Sequence, residues 1–224
     1  MVKVNSPDVN PPANIDKIGL ALKGNHDQCH VGIIYKAEDD PIPYLLHLAW
    51  HFYLKNDPDI PLEYIWVDLP LDELNKTVIA QYCKHISIKN SDGKIPYGFN
   101  IEGRFFDRSG SWIGAEGTGL TCATFILAVF REMSLPLLKT EEWPIRSDDE
   151  AWQRKILTDL LMYGASTEHV TKQQSNFGGA RFRPTEVFGA ATSENTPVGY
   201  DEAVDLAATI FTKLCKHNER ICSS

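Results

Sequence analysis

Up to residue 70 the apolar residues fall in short β-favourable runs, and beyond it they recur at helical spacing, so the pattern predicts strands first and helices afterwards. His30-Val31-Gly32-Ile33-Ile34-Tyr35 and Tyr44-Leu45-Leu46-His47-Leu48-Ala49-Trp50 are rich in β-branched and aromatic residues. The turn chemistry of Glu38-Asp39-Asp40-Pro41 separates them, which predicts an antiparallel pair. A third run, residues 64–69, stops at Pro70. Residues 71–85 then carry Leu71, Leu74, Val78, Ile79 and Tyr82 at the spacing of a helix face.

A loop rich in Gly, Asp and Arg spans 91–119. Cys122, Ile126, Val129, Phe130 and Met133 then share one face of a helix that Pro136 closes, with Thr118 or Thr121 available to cap its start. Two more helices are expected. Over 149–163, Trp152, Ile156, Leu157, Leu160 and Leu161 point inward, and over 201–217, Val204, Ala207, Ile210, Phe211 and Leu214 do. Residues 1–16, with Pro7, Pro11 and Pro12, read as an extended lead-in, and 17–224 as a single domain. The polar stretch 166–197 is long for a passive connection, which makes it an insertion or lid loop. The fold class that results is α+β, helices packed on a small antiparallel sheet.

Composition narrows the function classes. With 224 residues, 43% hydrophobic and 23% charged, the chain can bury one sizeable core. Thirty acidic against 22 basic residues leave a net charge of -8, which argues against nucleic acid as a partner. No window approaches an apolar membrane span, and the first residues lack a cationic stretch followed by an apolar run. Five cysteines without a Cys-x-x-Cys pair fit a reducing compartment. The expectation is a cytoplasmic protein, and export without a cleavable signal is compatible with the same residues. There is no glycine-rich phosphate loop and no spaced metal set, so no cofactor and no metal is expected.

Cys122 is the candidate nucleophile. At the first turn of a helix, after Gly117-Thr118-Gly119-Leu120-Thr121, unpaired amides and the helix dipole favour a thiolate, and the same amides can hold an oxyanion. A thiol nucleophile needs an imidazole base and a group that orients it. A register placing His30 opposite His47 and Gly32 opposite Leu45 projects both imidazoles from one face, with His30 as base and His47 as orienting group. Gly32 then keeps the surface low enough for a helix start to approach.

On these residues the chain resembles the circularly permuted branch of the NlpC and papain-like cysteine hydrolases. The resemblance covers roughly residues 26–133. His30 to Tyr35 looks like that superfamily's histidine strand, and Leu45 to Ala49 like the following strand of its lecithin:retinol acyltransferase-like members. Thr121-Cys122-Ala123-Thr124-Phe125 looks like the nucleophile helix, with histidine before cysteine as in permuted members. Ile95-Pro96-Tyr97-Gly98-Phe99-Asn100 is similar to a Pro-Tyr-Asp-Phe segment of bacterial members, with Gly98 in place of Asp. The lipid acyltransferase branch has Asn before the cysteine and Glu-His after it, whereas this chain has Thr121 and Ala123-Thr124. The resemblance implies a permuted papain-like fold whose catalytic set is Cys122, His30 and His47, with Tyr97 near the substrate. It also implies amidase or peptidase chemistry on a peptide, peptidoglycan-like or acyl substrate.

Alternatives remain open on the residues alone: a thioester-forming acyltransferase on lipid or small molecule, or a non-catalytic binding module of the same fold. His169 is a rival base in unpermuted order, Asp68 a rival orienting group, and His26-Asp27-Gln28-Cys29-His30 a rival metal cluster. Cys29, on the opposite strand face to His30, reads as packing, and Arg181 and Arg183 as solvated loop residues.

Overall fold

Strands formed by the β-favourable runs build one antiparallel sheet in the computed structural model, which describes residues 3–26 and 28–223. The strands are β1 (Ile18–Gly24), β2 (Cys29–Tyr35), β3 (Tyr44–Trp50), β4 (Tyr53–Asp57) and β5 (Ile65–Asp68), in the order β4-β3-β2-β1-β5. Among the described residues there are six α-helices: α1 (Glu73–Lys89), α2 (Cys122–Glu132), α3 (Asp149–Met162), α4 (Thr167–Gln174), α5 (Pro184–Ala190) and α6 (Tyr200–Cys222). The fold is α+β.

Two strands escape the hydrophobic pattern for opposite reasons. β1, Ile-Gly-Leu-Ala-Leu at its start, is buried on both faces and so shows no alternation. β4 is a polar edge strand, with Lys55 paired across from His47.

The sheet separates two apolar clusters. Val31, Ile33, Tyr35, Leu46 and Leu48 join the large core under the helices, where α2 packs on β2 and β3, α1 on β1, β2 and β4, and α5 on β1 and β2. Ala21, Ile34, Leu45, Tyr64 and Trp66 form a small cluster on the other face. The N-terminal segment lies against it. Asn5 bridges to Trp66, the Trp66 Nε1–H donates to the Asn10 carbonyl at 2.9 Å, and Pro12–Asn14 forms a 3₁₀ turn.

Helix α2 is the buried axis of the large core, with every residue from Cys122 to Phe130 out of solvent. Fully burying one such aliphatic or aromatic side chain is worth about 1.5–3 kcal/mol. Helix α1 turns differently from its predicted face: Leu74 and Val78 are exposed, and Ile79, Cys83 and Ile86 point inward. Asp72 caps it, accepting from Asn75 N at 2.9 Å, so the helix starts two residues after the predicted first apolar position. In α3 and α6 the expected inward Leu161 and Val204 are exposed. Residues 166–197 hold α4 and α5 where a loop was expected. Ser166 caps α4 by accepting from His169 N at 3.1 Å, and Pro184 opens α5.

Candidate active site

The start of α2 is set by a reciprocal cap. Thr121 Oγ1 accepts from Thr124 N at 3.0 Å, and Thr124 Oγ1 accepts from Thr121 N at 2.8 Å. This accounts for the threonines that flank Cys122 where the resembling lipid enzymes carry other residues. It also leaves the N–H groups of Cys122 and Ala123 outside the cap, pointing at the space around the thiol.

Cys122 is 6% exposed. Burial pushes its thiol above the ordinary range. The backbone N–H groups of Val31, Ala123 and Cys122 itself work in the opposite direction, as does the Arg181 guanidinium, but burial wins. The expectation that the helix start alone would favour a thiolate therefore needs correction: the resting group is a protonated thiol. The Val31 amide reaches the sulfur because the β2–β3 ladder opens there. Its pairs are Tyr35↔Tyr44, Ile34↔Leu45 and Ile33↔Leu46, although both strands continue past them.

That register corrects the predicted one by two residues. Gly32, not His30, lies across from His47: a Cβ on Gly32 would stand 2.9 Å from His47 Cβ and 2.8 Å from Leu45 Cδ1. Gly32 therefore makes room for the His47 side chain rather than for a helix. A shift of two keeps both histidines on one face, where a shift of one would have split them. They meet diagonally, His30 Nε2 to His47 Nδ1 at 2.8 Å, with ring centroids 4.8 Å apart.

The chain continues to a residue the sequence did not single out: His47 Nε2 lies 3.1 Å from Asp57 Oδ2 on the edge strand. Burial of Asp57 acts to raise its pKa, but hydrogen bonds from His47 and Lys55 and the Lys55 charge outweigh it and hold the carboxyl below the usual range. Burial, the neighbouring His47 and Lys23 push His30 down to about 3, and burial lowers His47 against the pull of Asp57. At neutral pH both imidazoles are uncharged. Asp57 then accepts from His47 Nε2–H, His47 Nδ1 accepts from His30 Nε2–H, and the lone pair of the chain is left on His30 Nδ1.

Cys122 and the imidazoles approach from different sides of the strand. Cys29, Val31 and Ile33 face the helices, and His30, Gly32 and Ile34 the other face. Among the described residues no hydrogen bond joins Cys122 Sγ to His30. The sulfur is instead against the Val31 N–H, the peptide group that His30 itself begins. Cys29, on the helix face, has its thiol pushed up to about 11, first by burial and then by Cys122.

Tyr97 belongs to this site. It bridges Leu120, two residues before the cysteine, and the N–H of Cys122 faces its hydroxyl. Burial raises the phenol well above its ordinary value, so the O–H stays protonated. Gly98 has a local reason: a Cβ there would come within 2.4 Å of the Gln173 amide, which accepts from Phe99 N at 2.7 Å and donates to the Gly117 carbonyl at 2.6 Å.

The rival residues lie elsewhere. His169 Nε2 donates to the Tyr97 carbonyl at 2.8 Å, and His51 Nδ1 accepts from Tyr97 N at 3.1 Å, so this second pair clamps the Tyr97 backbone. Asp68 accepts from Asp16 N at 2.9 Å, away from either imidazole of the first pair. Of the suggested metal cluster, Asp27 lies outside the described residues, and no three His, Cys, Asp or Glu groups among the described residues gather to hold an ion. All five cysteines are unpaired, and no described helix is long and apolar enough to cross a membrane. Comparison of the chain with protein-family models, curated proteins and solved structures gives no match.

Proposed function

We propose that the chain is a cysteine hydrolase of permuted papain-like arrangement, acting on an amide through a thioester at Cys122 with His30 as general base. The observation that carries this reading is the hydrogen-bonded chain from Asp57 through His47 to His30, ending one peptide bond from the amide that faces the Cys122 sulfur. A neutral thiol and a neutral imidazole suit general-base activation, in which the proton moves as the sulfur attacks.

In the first half-reaction the Cys122 proton passes to His30 Nδ1 and an S–C bond forms to the carbonyl carbon. The oxyanion is held by the N–H groups of Cys122 and Ala123 and by the Tyr97 O–H. The C–N bond then breaks, and the amine leaves with the proton from His30. Water, deprotonated by His30, attacks the thioester, and the C–S bond breaks to release the acid and restore the thiol. His47 and Asp57 hold the His30 tautomer without gaining a proton. The substrate class is an amide in a peptide, a peptidoglycan stem or a protein tail.

The test is acylation by 4-nitrophenyl acetate, an unhindered acyl donor, with the acetylated residue located by mass spectrometry. Acetyl on Cys122 that forms about 10²–10⁴ times more slowly in His30→Ala is the expected result. If Cys122 stays unmodified while the exposed Cys222 reacts, the hydrolase reading is wrong and a binding module of this fold takes its place. Release to an added alcohol or amine in preference to water would make the protein an acyltransferase.

A further inference from the structure

A cavity of about 640 Å³ opens between the end of β1, the start of β2, α3, the segment before α5, and α6. Its wall contains three arginines in different states. Arg146 pairs with Glu186 and donates to the Arg181 carbonyl, and Arg183 holds both Asp148 oxygens, at 2.8 and 2.7 Å. Arg181 has no such partner. Its guanidinium makes no ion pair or hydrogen bond among the described residues, its Nε is buried, and its carbon lies 4.2 Å over the Trp152 ring. Asp149, behind the wall, accepts from the backbone N–H of Arg181 and of Arg146 rather than from the Arg181 side chain. Burial and the neighbouring Arg183 charge outweigh the distant pull of Asp148 and Asp149 on this guanidinium, and stacking on an aromatic face offsets only part of that cost.

The cavity adjoins the candidate nucleophile. Cys29 lines it, and Arg181 acts electrostatically on both Cys29 and Cys122. Arg181 and Trp152 also line a narrow crevice whose other wall is Thr121 and Thr124, the cap of the nucleophile helix.

We infer that Arg181 and Trp152 form the subsite for a carboxylate on the substrate whose acyl group Cys122 takes. The inference rests on the hydrolase reading for its reaction, but the binding it requires can be measured apart from it. One unpaired planar guanidinium matches one carboxylate bidentately. A dianionic phosphate fits less well, because Asp148 and Glu186 line the same space, their charges already matched by Arg183 and Arg146. Opposite stand Val204, Ala207 and Phe211 of α6, an apolar wall for an aliphatic or aromatic group. The substrate class is therefore an amide that carries a free carboxylate and an apolar group close to the scissile bond.

The binding test compares hippurate with hippuramide, which differ in one carboxylate, on the Cys122→Ala protein by calorimetry and Trp fluorescence. Hippurate binding at least tenfold tighter, with the preference lost in Arg181→Gln and partly kept in Arg181→Lys, is the expected result. Equal binding of the two compounds, no binding of hippurate, or a preference unchanged in Arg181→Gln would overturn the subsite. The second test uses the unaltered protein and compares acylation of Cys122 by mono-4-nitrophenyl glutarate and by 4-nitrophenyl valerate, with 4-nitrophenolate leaving in both. A glutarate preference that falls about tenfold in Arg181→Gln agrees with the subsite, and equal rates contradict it. If neither ester acylates Cys122, the hydrolase reading fails, and the hippurate preference still decides whether Arg181 binds a carboxylate.

Discussion

The His30–His47 and His51–His169 pairs have nearly the same ring separation, 4.8 and 4.6 Å, but their hydrogen bonds run to different places. The second pair ends on backbone, the N–H and the carbonyl of Tyr97. Burial and the neighbouring His169 push His51 down to about 4, and what the two rings accomplish is to fix one residue of a loop. The first pair ends on a carboxylate at one side and, at the other, on a ring nitrogen without a hydrogen bond among the described residues. Proximity of two imidazoles is thus no sign of chemistry by itself. The groups at the two ends of the chain decide whether a ring braces a loop or stands ready to take a proton.

This contrast can be broken most severely at His30. Replacing it with Ala should slow acylation of Cys122 about 10²–10⁴-fold, whereas His169→Ala should change that rate by less than about tenfold, both read with 4-nitrophenyl acetate. Asp57→Asn should come next, with a loss of about 10²–10⁴-fold and little change in thermal stability. An amide at 57 can donate to His47 Nε2, which turns the tautomers around and puts the proton on His30 Nδ1, where the base needs a lone pair. Activity that survives this change within threefold would remove Asp57 from the chain.

Acid separates the folded and unfolded states at the first pair. His30 is held at about 3 in the fold against an ordinary 6.5, so between those values the unfolded chain binds a proton that the folded one does not. The His30 contribution to stability is therefore full above about pH 6.5 and falls by about 1.4 kcal/mol per unit on going below it. Urea midpoints between pH 7 and 4.5 should show the slope, and His30→Gln should remove the His30 share of it while the share of His51, held at about 4, remains. The smallest effect is expected at the second pair. His169→Ala should cost about 1–3 kcal/mol of stability, because it leaves the buried Tyr97 carbonyl unpaired. Denaturant unfolding checks this, and a cost near zero would mean that solvent replaces the imidazole.

Much of this site was legible in advance. Cys122 at a helix start, the two histidines on consecutive strands and Tyr97 before the candidate nucleophile could all be read from residue type and spacing, since each depends on local pattern. Asp57 could not, because its strand reads Tyr-Leu-Lys-Asn-Asp, without the alternation that marks a half-buried strand. The only signal was its polar character ten residues after His47, which a turn would explain equally well. Arg181 was misread for a related reason. In a stretch of polar residues a guanidinium is expected in water, and only the packing of α3 against that stretch places Trp152 beneath it.

The sequence by itself determined what depends on near neighbours along the chain: the α+β class, the strand pair, the capped helix and which residue opens it. Pairing register, the opening of the β2–β3 ladder beyond Ile33, the charge state of Cys122 and the partners of each histidine belong to the tertiary structure alone. Those properties are set by burial and by groups distant in sequence, and a hydrogen bond or a desolvated thiol depends on what the folded chain brings within a few ångströms.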